Sequence, residues 1–394
     1  MRVLKLATSL FAAIRSVWTR GSPFAALTAL WPMNDEGKYV IQSEGIRLAF
    51  TNHGAALTNL WINDTHGEEL DIVLGLDDAR SYPQMSSNPY LNGVIGRYAG
   101  YMSGASYEVD GVSFQVLANA HNQTSLFNGG HEGWGRQTWD IATHIENSIT
   151  FVLFDHKWNG FPGIFASCLT HTVTPHQWRV AFGVTPLLKP GPINLSQQAF
   201  FNLDGFKSNS SHTILHHEIH LPTAGFRFEL DELGIPTGDL KSNRKGGKHD
   251  FWSTKRRVGE GLRQERAKES SAGCETHNDT DCTFDTIYML SHRPLANKED
   301  APAAILSSAT SGITMKLYTD HDAVHVHSWN NTQNEIRLKR KQGGGPVPMH
   351  GAVSLEMQDW PDGVHHPEWL NRKTIWGMDG LYTSFATYKF SVKK

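Results

Sequence analysis

Apolar and polar residues alternate along much of this chain with the period of two that is typical of β-strands. The pattern predicts strands within residues 148–156, 168–188 and 323–329, which are bounded by Gly, Pro, Asn and Asp. After residue 35, no long helical face with capping residues is evident. Short strands at this spacing predict an all-β fold built from antiparallel strands, as a sandwich or a barrel.

Two segments depart from this pattern. Residues 1–35 are apolar without a clear period, and their basic start followed by a short apolar run predicts a leader or N-terminal arm, possibly a signal peptide. Residues 239–282 carry a dense basic run, which predicts a solvated loop insertion. No internal repeat or linker divides residues 36–394, so we expect one domain there.

Composition narrows the class of partner. The chain has 394 residues, of which 39% are hydrophobic and 19% charged, and its formal net charge is −3. A weakly acidic chain without a long apolar run gives no reason to expect nucleic acid or membrane as a partner. We expect a small-molecule substrate and a monomer or weak dimer. The twelve Trp and ten Tyr can stack on sugar rings, or they can fill the core of a large sandwich.

The compartment is predicted from cysteines and glycosylation sequons. Cys168 lies in a predicted strand and is expected to be a buried free thiol, whereas Cys274 and Cys282 flank a polar loop and can form a disulfide in an oxidising compartment. Sequons of the N-x-S/T type occur at Asn63, Asn122, Asn194, Asn209, Asn278 and Asn330. These features favour a secreted glycoprotein, with a cytoplasmic location as the alternative.

Two separated motifs carry the chemistry. Residues 353–369 read VSLEMQDWPDGVHHPEW, and residues 192–206 read PINLSQQAFFNLDGF. Together they resemble the signature of the aldose 1-epimerase (galactose mutarotase) family. The resemblance implies that Glu356 is the catalytic base. The second motif carries the acid of the family, a His, but this chain has Gln198 at that position. An amide cannot donate and recover a proton near neutral pH.

The resemblance extends over most of the chain. Further segments follow in the order and spacing of the family, namely residues 52–82, 88–111, 122–140, 158–165, 284–290 and 380–392. The resemblance therefore implies an all-β, galactose-mutarotase-like antiparallel β-supersandwich.

The same segments imply which residues bind substrate. Arg97 matches a substrate-contacting Arg, Asn128 replaces a substrate-binding His, and Asp285 matches an Asp that contacts a sugar hydroxyl. Gln198 is expected to bind substrate through its amide. A family segment reading ANRI is replaced here by Ala99, Gly100, Tyr101 and Met102.

Another residue is needed as the acid, and the chain has 21 His. His325 and His327 are expected on one face of a strand. We predict His327 as the substitute acid, because a histidine titrates close to neutrality, and His131 as the second candidate. The HxH pattern can bind zinc, but no third ligand follows at a suitable spacing, so neither a metal nor a cofactor is predicted.

These observations leave three functions open. The leading one is an aldose 1-epimerase-like enzyme, an isomerase that interconverts anomers of a sugar or other cyclic hemiacetal by ring opening and reclosure. The second is an isomerase or cyclase that uses the same cleft on a non-sugar metabolite. The third is a non-catalytic carbohydrate-binding protein.

Overall fold

The computed structural model describes residues 32–86, 90–207, 212–266, 284–290, 301–330, 336–369 and 373–393. Nearly all of the predicted N-terminal arm, together with Cys274, Cys282 and the sequons at Asn209 and Asn278, lies outside these residues. Within them, no helix is long and apolar enough to cross a membrane.

Strands β1 to β16 occupy the first half of the chain, and the longest of them form the hairpins around residues 148–186. These strands are β1 (Tyr39–Ser43), β2 (Ile46–Phe50), β3 (Leu57–Asn63), β4 (Glu69–Asp71), β5 (Val94–Ile95), β6 (Tyr101–Met102), β7 (Ser106–Val109), β8 (Val112–Gln115), β9 (Leu126–Phe127), β10 (Asp140–Ile145), β11 (Ser148–His156), β12 (Ile164–Thr174), β13 (Gln177–Pro186), β14 (Gly191–Pro192), β15 (Ser196–Gln197) and β16 (Phe200–Phe201).

Strands β17 to β27 occupy the second half. They are β17 (Glu218–His220), β18 (Phe226–Leu230), β19 (Pro236–Ser242), β20 (Arg256–Arg257), β21 (Asp285–Met289), β22 (Ala304–Ser307), β23 (Ile313–Thr319), β24 (Ala323–Ser328), β25 (Val353–Gln358), β26 (Ile375–Trp376) and β27 (Tyr382–Val392). One α-helix is described, α1 (Val258–Arg266), and single turns of 3-10 helix lie at Ala79–Gln84, Ser103–Ala105, Trp134–Arg136, Trp158–Gly160 and Arg340–Gln342.

Two large sheets dominate the fold. One has nine strands in the order β10-β11-β12-β13-β27-β23-β22-β17-β20, and the other has six in the order β16-β25-β24-β21-β18-β19. Strands β1 to β4 form a four-stranded sheet, and short strands pair as β14-β26, β15-β5, β6-β9 and β7-β8. The pairings between these strands are antiparallel, which confirms the predicted all-β antiparallel class.

The predicted strands lie where the alternation placed them. Residues 148–156 form β11, residues 323–328 form β24, and residues 168–188 form most of the hairpin β12–β13. The hairpin turns at Pro175 and His176, where His176 has a positive φ of 56° and Pro175 has no N–H for the ladder. The pattern therefore identified the strands but joined two of them across this turn.

The six-stranded sheet separates apolar from polar side chains by alternation. Val324, Val326, Leu355 and Met357 belong to the main hydrophobic core, which they share with the nine-stranded sheet. Successive side chains of a strand point to opposite faces. The intervening residues of β24 and β25 therefore lie on the other face, which we call the site face.

The basic segment was predicted to be a loop, but part of it has regular structure. It contains the end of β19, the short strand β20 and helix α1. Val258 is 2% exposed and belongs to the main core, and Leu262 packs against the same core. Apolar anchors within a charged run thus fold part of this segment onto the domain.

Two smaller predictions concern single residues. Cys168 is a buried free thiol, as expected, and burial raises its pKa to about 11. Of the described sequon residues, Asn63 and Asn122 are exposed and Asn330 is half-buried, whereas Asn194 is buried and is therefore a poor glycan acceptor in the folded chain. Glycosylation at Asn63 and Asn122 stays a prediction.

His171 makes the core sensitive to acid. It is fully buried, its ring centroid lies 4.3 Å from that of Phe50, and its Nδ1 accepts a hydrogen bond of 3.2 Å from Trp178 Nε1. Burial lowers the pKa of His171 to about 3. An unfolded chain takes up this proton near pH 6.5, so stability is full above that pH and is lost as the pH falls toward 3.

We expect His171→Phe to flatten the acid side of the stability profile. The substitution removes a contribution of up to about 1.4 kcal/mol per pH unit to the slope between pH 6 and 4. Urea unfolding at pH 7, 6, 5 and 4 measures this slope for wild type, His171→Phe and the exposed control His66→Phe. Parallel profiles for all three proteins would contradict the assignment, whatever the absolute stability of the variant.

Candidate active site

The site face collects the candidate residues of three neighbouring strands. In the register of the sheet, Glu356 of β25 is directly opposite His325 of β24, and His327 of β24 is opposite Asp285 of β21. Residues two apart on one strand share a face. The alternation that buries the valines of β24 therefore brings both of its histidines and both carboxylates together.

Glu356 is held by two neutral donors. Its side chain is buried, and Oε1 accepts hydrogen bonds from Ser354 Oγ and, at 3.1 Å, from Gln198 Nε2. The orientation of the Gln198 amide is fixed, since its Oε1 accepts a hydrogen bond from the backbone N–H of Asn92 at 3.3 Å. Gln198 therefore contacts the proposed base directly, in addition to lining the site.

Asp285 lies between the two histidines. Its Oδ1 is 2.5 Å from His325 Nε2 and 3.4 Å from His327 Nδ1. The other nitrogen of His325, Nδ1, is 3.7 Å from Glu356 Oε2. His325 thus connects the two carboxylates, whereas the polar contact described for His327 involves Asp285 alone.

These contacts set the charge of the site. Burial by itself disfavours charge on all three groups, but the paired charges outweigh it. Desolvation opposes the shift, yet the hydrogen bond to Asp285 and the charge of Glu356 raise the pKa of His325 to about 10. His325 in return holds the pKa of Glu356 below its ordinary value, although desolvation acts in the opposite direction. His325 and His327 together hold the pKa of Asp285 well below its ordinary value, again against desolvation.

Arg97 is buried and paired with Asp155. It is 1% exposed, and its Nε and Nη2 lie 2.9 and 2.7 Å from Asp155 Oδ2. Its guanidinium carbon stacks 3.8 Å above the ring of Phe165, and Trp134 Nε1 donates to the same Asp155 oxygen. The predicted substrate contact stays a prediction, and this geometry does not favour it.

Asn128 supports a turn in the conformation described. Its Oδ1 accepts a hydrogen bond of 2.9 Å from the backbone N–H of Gly100, and its φ is +49°. The residue is half-buried, so a substrate can still approach it. His131, the second candidate for the acid, is exposed, and no described contact joins it to the site face.

An aromatic wall borders the site, and the sequence analysis did not identify it as a binding surface. The ring of Tyr101 stacks on His121 at 4.7 Å and lies tilted against Phe127 at 4.5 Å, and Tyr90 meets Phe127 edge to face. Burial and then the charge of Asp285 raise the pKa of the Tyr101 hydroxyl. In the sequence, the departure of Tyr101 from the family pattern was the signal that could have indicated this aromatic wall.

Two groups of side chains in the described residues have the composition of a metal site. One is Asp285, His325 and His327, and the other is Asp204, His216 and His217. The sequence analysis lacked a third ligand for the HxH pattern because Asp285 is 40 residues away from His325. Sheet pairing supplies this neighbour, which spacing along the chain could not reveal.

Known proteins similar to this chain belong to one family. A family model described as aldose 1-epimerase matches residues 37–375. The chain is 59% identical to "Epimerase FSL3" of Gibberella zeae, with all of this chain and 93% of that protein aligned. It is 27% identical to the galactose mutarotase of Bos taurus, over 90% of this chain and 94% of that one.

Solved structures support the same fold. The GalM/aldose epimerase homologue from C. elegans superposes with a TM-score of 0.74 at 20% identity and covers 91% of this chain and 99% of its own. This likeness confirms the galactose-mutarotase-like fold. With the family match over most of its length, the chain belongs to the aldose 1-epimerase family.

Proposed function

We propose that this protein is an isomerase that interconverts the anomers of a cyclic hemiacetal by opening and reclosing its ring. The observation that carries the proposal is the environment of Glu356. A buried carboxylate with a lowered pKa, held by the neutral donors Gln198 and Ser354, is ionised and oriented at neutral pH. Such a group is available to accept a proton from a substrate hydroxyl, and its lowered pKa makes it a weaker base than a carboxylate tuned towards neutrality.

The reaction requires two coupled proton transfers. Glu356 removes the proton of the C1 hydroxyl, the bond from C1 to the ring oxygen breaks, and the ring oxygen takes up a proton from an acid. The open aldehyde rotates about the C1–C2 bond and closes on its other face, with both protons returned. Gln198 cannot supply the proton for the ring oxygen, because an amide is not an acid near neutral pH.

His327 is the proposed acid. Its Nδ1 contacts Asp285, which leaves Nε2 as the nitrogen that can face a ring oxygen. Its side chain is 19% exposed, so a substrate can reach it. His325 is less suited to this role because both of its nitrogens face carboxylates. In this scheme Gln198 orients Glu356 in the free protein. When substrate binds, a substrate oxygen replaces Glu356 as the partner of the Gln198 amide.

We expect the wild type to accelerate anomer exchange and His327→Gln to slow it by about 10²–10⁴-fold, the usual contribution of one positioned proton transfer. Polarimetry and NMR exchange of freshly dissolved α- and β-anomers of glucose and galactose measure the rate. His66→Gln, at an exposed position remote from the site face, is the matched control. Exchange no faster than in buffer for every sugar tested would refute the proposal for sugars.

The aromatic wall favours a second candidate function. Tyr101 stands where the family pattern has an Arg, and its ring lies against those of His121 and Phe127. Aromatic faces bind apolar surface well, so the substrate of this candidate is a non-sugar metabolite with an apolar portion. Exchange of a hydrophobic lactol but not of glucose or galactose would favour this function. Binding of sugars without exchange would identify a carbohydrate-binding protein instead.

A further inference from the structure

The Asp285 cluster has the ligand types of an open metal centre. Asp285 comes from β21 and the two histidines from the adjacent strand β24, and their ligand atoms all lie within 4.8 Å of one another. Two histidines and one carboxylate leave coordination positions free on a transition-metal ion, as in catalytic rather than structural zinc sites.

The distances match an ion after a small adjustment. Zinc binds nitrogen and oxygen at about 2.0–2.2 Å, so tetrahedral neighbours lie about 3.4 Å apart. His327 Nδ1 and Asp285 Oδ1 are already 3.4 Å apart. His325 Nε2 and Asp285 Oδ1 are 2.5 Å apart and must separate. The Asp285 side chain is 58% exposed and has room to rotate.

A second carboxylate supports one of the ligands. His325 presents Nε2 to Asp285, while its Nδ1 lies 3.7 Å from Glu356 Oε2. Metal-binding histidines commonly place their other nitrogen against a carboxylate, which fixes the ring and raises its basicity. Partial exposure of both histidines, at 23% and 19%, gives an ion access from solvent.

In the other candidate group, the ligand atoms have partners within the fold. His217 is fully buried, and its Nε2 accepts a hydrogen bond of 3.0 Å from the backbone N–H of Leu203. His216 Nε2 contacts Asp204 Oδ2, and the other Asp204 oxygen accepts from the backbone N–H of Ser311. These atoms are engaged within the fold, so this group serves as an internal comparison.

We propose that Asp285, His325 and His327 bind one divalent transition-metal ion of the zinc class, with open positions beside Glu356. The ion takes the place of the direct contact between His325 Nε2 and Asp285 Oδ1, and His327 coordinates through Nδ1. This inference goes beyond the proposed function and does not rest on it, because the ligands are protein groups alone. A bound ion would place an electrophile next to Glu356, the proposed base.

Cobalt titration of the chelator-treated full chain tests the proposal. We expect a saturable visible absorption with one Co²⁺ per chain, which one equivalent of Zn²⁺ abolishes. Glu356→Gln should weaken the affinity by about 10–100-fold, as loss of a supporting carboxylate does. His327→Gln and Asp285→Asn should weaken it further. His216→Gln, from the Asp204 group, and the exposed His66→Gln should leave it unchanged.

The outcomes separate clearly. Absence of a cobalt spectrum in folded wild type, or an unchanged spectrum in both His327→Gln and Asp285→Asn, overturns the metal site. Circular dichroism establishes that each variant is folded. Anomer exchange of the chelator-treated and zinc-loaded protein is measured separately. Metal binding without exchange would then refute only the proposed function, and exchange without metal binding would refute only this inference.

Discussion

Glu356→Gln is expected to lower the rate of anomer exchange by about 10²–10⁴-fold, because the substitution removes the proton acceptor while keeping the shape of the side chain. A Gln at this position can still accept hydrogen bonds from Ser354 and Gln198, so the packing of β25 should persist. Polarimetry at saturating substrate isolates the effect on kcat. The uncatalysed rate of anomer exchange in buffer is the baseline.

A matched variant separates chemistry from charge. Glu368→Gln makes the same replacement 12 positions later, at a side chain that is 58% exposed and pairs with His366. We expect its exchange rate to equal that of the wild type. If Glu356→Gln also retained the wild-type rate, Glu356 would not be the base, and the assignment of the whole site face would fail.

Asp155→Asn is expected to reduce the free energy of unfolding by about 3–5 kcal/mol, because it leaves the buried charge of Arg97 without its partner. The loss should be large since one Asp155 oxygen receives Arg97 and Trp134 together. Urea unfolding at pH 7 measures it. The double variant Arg97→Met/Asp155→Leu should recover most of the stability, because apolar side chains of similar size can replace a buried ion pair.

The same double variant tests the predicted role of Arg97 in substrate binding. If Arg97 only stabilises the fold, the recovered protein should have the KM of the wild type. A KM raised severalfold at unchanged stability would show that Arg97 contacts the substrate. Wild-type stability in Asp155→Asn would contradict the ion pair itself.

Much of the fold could be predicted from local pattern. Alternation alone placed β11 and β24, and the order of motifs indicated the supersandwich that the comparisons confirm. Helix α1 was missed because its anchoring residues, Val258 and Leu262, are few and lie within a charged run. Propensity cannot show that two apolar side chains will reach a core formed by distant strands.

Four of the predicted residues lie together, but the contacts between them were not predicted. Glu356, Gln198, Asp285 and His327 do meet on one face, since motif position and strand alternation carry that information. Three relationships arise only from tertiary pairing. These are the direct contact between Gln198 and Glu356, the position of His325 between two carboxylates, and the burial of Arg97 against Asp155.

The division of β24 and β25 into two faces also bears on how such a site can evolve. Val324 and Val326 contribute to the core, whereas His325 and His327, one residue away from each, contribute to the chemistry. Substitutions on the polar face can therefore accumulate without cavities in the core. A lineage on this scaffold can exchange a catalytic histidine for an amide while its stability remains nearly constant.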